Sequence, residues 1–275
     1  MYKDYFGLAE EPFSITPDPR YLYLTPQHRE AMNHLLYGIR QRKGFICLTG
    51  EVGSGKTTLC RALLADLGGD VHTALILNPM LSETQLLRAT VEEFGIATKS
   101  RDRLSYLKLL NEFLLKINSQ GHNAVLIIDE AQDMPVATLE MARLLSNLET
   151  ERHKLLQIIL VGQPELRTLL DKPSMRHLAQ RITVRFHLGT MTSDETAEYI
   201  RHRLRIAGGA QGPDGPDRVD FDADAVGEIY RYSRGTPRLV NALGDKALLA
   251  GYVYGTARID QNLVRLAIQD LREAS

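Results

Sequence analysis

Five short apolar runs mark the first two-thirds of the chain: GFICLT over 44–49, HTALILN over 72–78, AVLIID over 124–129, LLQIILVG over 155–162 and ITVRFHL over 182–188. Each has the length of a β-strand. Between them apolar positions recur at helical spacing, clearest in TLEMARLLSNLE, where Leu139, Ala142, Leu145 and Leu148 share one face. Strands alternating with helices predict a parallel sheet covered on both sides. After about residue 190 the strand signal stops, and helices are predicted over 193–206, 223–232, 237–252 and 260–272. The pattern therefore divides the chain into an α/β domain over 1–190, with a leader over 1–40, and a small helical domain over 191–275. AGGAQGPDGPDR, over 207–218, is too rich in Gly and Pro for a helix and reads as a surface connector.

Composition narrows the class. With 275 residues, 44% of them apolar and 24% charged, the chain has enough material for a substantial globular core. Its 33 basic and 34 acidic residues leave a formal charge of -1, which removes the strongest electrostatic argument for a nucleic-acid partner. Cys47 and Cys60 lie in a strand-like and a helix-like run, so a disulfide framework or a cysteine metal cluster is not expected. MYKDYFGLAEEPF has charges throughout and lacks the apolar segment of a secretory signal, and no later run has the length of a membrane span. A cytoplasmic protein without direct membrane insertion is expected, reaching the inner membrane only through a partner.

The chemistry is carried by GEVGSGKT, which matches G-x-x-x-x-G-K-[ST] in full, after a predicted strand and at the start of a helical run. Gly50, Glu51, Val52, Gly53, Ser54, Gly55, Lys56, Thr57 and Thr58 are the candidate phosphate cradle. Glycines let backbone N–H groups close around phosphate oxygens, and the helix N-terminus adds its partial positive charge. Lys56 is the candidate for the β and γ phosphates of ATP, and Thr57 for Mg2+. In AVLIIDEAQD, Asp129 suits an outer ligand of magnesium and Glu130 a base that polarises the attacking water. Gln163, at the end of LLQIILVGQPEL, is the candidate contact to the γ phosphate and the water.

In this order the motifs resemble those of the AAA+ ATPases, whose acidic base accompanies a magnesium ligand and whose extra strand separates the loop from the acids. The resemblance implies a P-loop NTPase fold, a five-stranded parallel sheet flanked by helices followed by a small all-helical lid. It also implies a finger arginine, near the start of the fifth strand, that enters a neighbouring subunit's nucleotide site. QRITVRF looks like that element, with Arg181 the best positional match and Arg185 and Arg176 behind it. A planar, permanently charged fork suits the charge of a transferring phosphoryl group, whereas pairing within the subunit is the alternative. YSRGTPRLVNAL resembles the second sensor of these proteins, which gives Arg238 the task of reporting the γ phosphate to the lid.

The leader narrows the resemblance. MYKDYFGLAEEPFSITPDPRYLYLTPQHREAMNHLLYGI, with DEAQDMP, LVGQPEL, the L-x-x-L-x-Q-R-I element and RGTPRLVN, is similar to the ExeA-type ATPases and their short relatives from pilus and exopolysaccharide loci. By that resemblance the leader lies across the base, with Phe13, Ile15 and Tyr23 as candidates for an apolar wall. The chain ends at Ser275 without room for the transmembrane and periplasmic segments of the long members, and its lid loop is longer than usual. The reading is an ATPase that works as a homo-oligomer, with nucleotide sites at subunit interfaces, and powers or gates a secretion, pilus or export machine through a protein partner. The alternatives are a DNA-bound ATPase of the transposition-helper type, using the clusters around Arg201, His202, Arg203 and Arg205 and in RDRLSYLK, or a slow nucleotide switch.

Overall fold

The computed structural model describes residues 1–14, 16, 18–151, 153–208 and 219–273. In chain order the elements are α1 (Tyr2–Tyr5), α2 (Pro26–Arg40), β1 (Phe45–Gly50), α3 (Lys56–Asp66), β2 (Val71–Ile76), α4 (Glu83–Glu93) and α5 (Arg103–Ser119). They continue with β3 (Asn123–Ile128), α6 (Val136–Leu145), β4 (Gln157–Gly162), α7 (Pro164–Leu170), α8 (Arg176–Ala179) and β5 (Ile182–Leu188). The remainder is α9 (Ser193–Ala207), β6 (Asp220–Phe221), α10 (Ala223–Ser233), α11 (Pro237–Val253), β7 (Arg258–Ile259) and α12 (Gln261–Glu273). Most of the predicted lid loop falls outside the described residues.

The chain forms two compact units: Pro26–Gly50 with Leu59–Leu188, and Met1–Thr25 with Glu51–Thr58 and Gly189–Ser275. The first is built on a parallel sheet in the order β2-β3-β4-β1-β5. β1, β3 and β4 are buried along their whole length, which is why their sequences are continuous apolar runs. Alternate residues feed two cores, Cys47, Leu126, Ile158 and Leu160 facing one and Ile46, Leu48, Val125 and Ile159 the other. β5 is an edge strand and alternates, with Ile182, Val184 and Leu188 buried and Thr183, Arg185 and His187 exposed.

Among the described residues the regular elements of the second unit are helices except for β6 and β7, a pair of two-residue parallel strands too short to leave a periodic signal. The leader belongs to this unit. Phe6 and Phe13 lie in one core with Ile229, Val240, Leu243 and Val264. Phe13 is 2% exposed, edge-on to Phe221 at 5.9 Å and pressed against Gly244, where a Cβ would come within 2.8 Å of its ring. The leader is also pinned by Arg203, which donates through Nε to the Pro12 carbonyl, through Nη2 to Ser14 O at 3.0 Å and through Nη1 to Tyr199 Oη at 2.8 Å. Its guanidinium stacks on the Tyr21 ring at 4.6 Å.

This packing corrects two expectations. Phe13 is a core residue and has no surface left to offer a base, because the helical unit's apolar core takes its whole ring. Arg203 is buried beneath the leader instead of facing a duplex. Of its neighbours Arg201 pairs with Glu198 at 2.7 Å, and in the second basic cluster Arg103 pairs with Glu83 at 2.6 Å. Neither cluster is an unopposed basic face.

Candidate nucleotide site

The phosphate loop spans the gap between the end of β1 at Gly50 and the start of α3 at Lys56. Gly53 and Gly55 take φ of +75° and +95°, a region that side chains avoid, and so turn the backbone back on itself. Within the loop Ser54 N donates to Glu51 O at 3.1 Å, and buried Lys56 donates through Nζ to the same carbonyl at 2.9 Å. The ammonium is thus folded back onto the loop. Val52 lies exposed on the loop.

Arg238 is brought to the same loop. Its backbone N donates to Gly53 O at 3.3 Å, and a Cβ on Gly53 would come 2.4 Å from the Arg238 Cβ. The stem of the arginine therefore lies on the loop glycine. Its exposed guanidinium makes no hydrogen bond or ion pair with the described residues. The turn that sets this position is rigid: Gly235, at φ +74°, leaves 1.9 Å between an added Cβ and Met191 O, and Met191 N donates to Gly235 O at 3.0 Å. Pro237 then opens α11 at its first turn.

The acids occupy the carboxyl end of β3. Asp129 is 3% exposed and held by its N–H on Ile76 O at 2.8 Å. Glu130 adopts the left-handed conformation (φ 50°, ψ 38°), unusual for a non-glycine residue, and its N–H donates to Asp129 Oδ1 at 2.9 Å. That twist turns its carboxylate toward β4, where Oε2 accepts from Gln132 Nε2 at 2.8 Å and from Gln163 Nε2 at 3.2 Å. Gln132 in turn accepts the Gln163 N–H through Oε1 at 3.0 Å. Gly162 leaves room for this, since a Cβ there would come 2.7 Å from Gln132 Oε1. Glu130 and Gln163 are legible in the sequence as site candidates, whereas the signal of Gln132 is only its place in DEAQD, two residues past the turning acid.

The candidate fingers stand at the other edge of the sheet. Arg181 immediately precedes β5, and seven residues of strand at about 3.3 Å each separate it from the carboxyl edge where Gly50, Asp129 and Gln163 emerge. It cannot reach Asp129 or Glu130 of its own chain. Its Nη1 donates to Ser146 Oγ at 2.8 Å and to Asn147 Oδ1, neutral acceptors at the end of α6. Arg185 is exposed, with Nη2 on Ala179 O at 2.8 Å, and Arg176 is exposed as well. Of the leader residues expected near a base, Tyr23 packs on Tyr199 and His202, and Ile15 lies outside the described residues.

A family model described as an AAA domain matches residues 39–170, from the end of α2 through the acids to α7. General secretion pathway protein A of Aeromonas hydrophila is 43% identical over 98% of this chain. Over nearly its whole length the chain is thus similar to the AAA+ proteins of the ExeA type. It spans about half the length of the curated relatives it matches, 48% of that protein and 59% of the Holliday junction branch migration complex subunit RuvB of Lawsonia intracellularis, to which it is 25% identical over 88% of its own length. The fold is shared with the ORC2 protein of Aeropyrum pernix, at a TM-score of 0.66, 18% identity and coverage of 94% of this chain and 71% of that one.

Proposed function

We propose that the protein hydrolyses ATP to ADP and phosphate and uses the cycle to drive or gate a secretion, pilus or export machine. The observation that carries this reading is the Glu130 carboxylate, turned by a left-handed backbone and held by Gln132 and Gln163. A base so fixed can accept the proton of a water attacking the γ phosphate. Gly50 to Thr58 would hold the phosphates, with Lys56 on the β and γ groups and Arg238 reporting the γ phosphate to α11. The Thr57 hydroxyl and the buried Asp129 carboxylate are the hard oxygen donors that Mg2+ takes, and the ion would neutralise charge on the phosphates. Arg181, which stands away from its own acids, serves a neighbouring subunit, so the protein acts as a homo-oligomer. Among the described residues no helix is long and apolar enough to cross a membrane. We place its work in the cytoplasm, at the inner membrane through a protein partner.

The test is ATP turnover per subunit against protein concentration for wild type, Glu130→Gln and Arg181→Ala. Wild-type turnover should rise with concentration. Glu130→Gln should bind ATP but lose about 10²–10⁴-fold in rate. Arg181→Ala should stay low throughout. Unchanged turnover in Glu130→Gln overturns the catalytic assignment, and a flat wild-type curve matched by Arg181→Ala makes that arginine structural.

A further inference from the structure

α10 and α12 enclose an open cleft of about 500 Å3 lined by Glu228, Arg231, Tyr232, Arg265, Ile268 and Arg272. Glu228 forms its floor, its side chain only 14% exposed. The carboxylate accepts from Gln261 Nε2 at 2.9 Å and from Arg231 Nη1, and lies 3.8 Å from Arg265 Nε. The Gln261 amide, ahead of the arginines, holds this carboxyl below its usual range and therefore charged. A fixed charge at the floor aligns both guanidinium groups while their side chains stay 63% and 57% exposed. Arg272 has no carboxylate among the described residues, and its guanidinium lies 5.6 Å over the Tyr232 ring. Three guanidinium groups thus face one acid, in a chain whose formal charge is -1 overall.

We propose that this cleft docks an acidic amphipathic helix of the partner protein. Arg265 and Arg272 are seven residues apart on α12, about 10 Å along its axis, and two carboxylates seven apart on a partner helix present the same spacing. Guanidinium forks take carboxylates two-pronged, and the half-buried Tyr232 and the edge of buried Ile268 line the cleft between them. A duplex is the poorer fit, since non-specific binding draws on roughly 6–10 phosphate contacts and the cleft offers three guanidinium groups. The inference rests on the reading that the protein acts on a protein partner, and it does not depend on ATP turnover.

The probe is a short fluorescein-labelled helix with leucines on one face and glutamates seven residues apart on its flanks, titrated with the full chain at low and high salt. A lysine-for-glutamate version and a labelled duplex are run beside it. The acidic helix should bind and weaken with salt, and the Arg265→Ala/Arg272→Ala double variant should bind about tenfold more weakly, the worth of two exposed ion pairs. Glu228→Gln, which removes the negative charge beneath the two arginines, should strengthen it. Equal binding by the double variant, equal binding of the lysine helix, or binding of the duplex alone overturns the proposal. ATP turnover of the double variant, expected to be that of wild type, separates failure of docking from failure of the catalytic reading, which Glu130→Gln tests alone.

Discussion

Phe13→Ala separates two accounts of the leader. In the structure the ring is 2% exposed, edge-on to Phe221 at 5.9 Å and flat against Gly244, which has no side chain with which to fill a vacated space. Truncation therefore removes a large apolar group and leaves a cavity that its neighbours cannot close. Phe-to-Ala changes of this kind cost about 3–5 kcal/mol. At about 2–4 °C per kcal/mol for a structure of this size, the transition that melts the helical unit should fall by roughly 6–20 °C. Scanning calorimetry of wild type and variant measures the shift, and ATP titration at a temperature where both are folded measures the site. A reciprocal change strengthens the test. Gly244→Ala should itself destabilise by driving a methyl to 2.8 Å from the ring, and combined with Phe13→Leu it should cost less than the two single changes added together. An unshifted transition in Phe13→Ala with a tenfold loss of ATP affinity would refute the reasoning, because the ring would then line a base pocket.

Three further outcomes are expected. Gln132→Ala removes a donor to Glu130 and the acceptor of the Gln163 N–H, so turnover should fall by more than tenfold with ATP affinity nearly unchanged, at a stability cost of about 1–3 kcal/mol; wild-type turnover would deny Gln132 a positioning role. Gly53→Ala meets both a φ of +75°, costing an L-residue about 1–2 kcal/mol, and the Arg238 Cβ at 2.4 Å; ATP affinity measured by titration should drop at least tenfold, and an unchanged value would mean that the loop does not need this close approach. Burial, against the opposing pull of Arg185 and Arg167, pushes the Cys47 thiol up to about 11, so the folded chain keeps a proton that the unfolded chain releases from about pH 9. Its contribution to stability is complete below that pH and is lost as pH rises toward 11, which alkaline denaturant titrations of wild type and Cys47→Ala would compare, the variant losing less.

What could be read from the sequence depended on whether the cause was local. β1, β3 and β4 are buried on both faces, so their composition alone announces them, and the edge position of β5 is written in its alternation of Ile182, Val184 and Leu188 with Thr183, Arg185 and His187. GEVGSGKT was legible for a similar reason, since phosphate geometry demands particular residue types at fixed spacing along one loop. The leader was not, because Phe6 and Phe13 are single aromatics among polar residues whose partners, Phe221 and Gly244 among them, lie some two hundred positions along the chain. Arg203 misled for the complementary reason: its neighbours in sequence are basic, while its neighbours in space are the carbonyls of Pro12 and Ser14. Gln132 was hidden by a backbone event, the left-handed turn at Glu130 that sends two side chains, two residues apart, to one point. The finger candidates lie between these cases. The edge position of β5 leaves Arg185 in solvent, but only the folded chain shows Arg181 bonded to Ser146 and Asn147, at an edge that its own acids do not share. If Arg181 meets a neighbour's phosphate it must exchange its hydrogen bonds to the neutral oxygens of Arg143, Ser146 and Asn147 for a bidentate one to an anion, which is favourable because bonds to charged acceptors are roughly twice as strong. Removing the competition by Asn147→Ala should then raise turnover at low protein concentration, whereas a finger that uses these bonds for alignment would lose activity in the same variant.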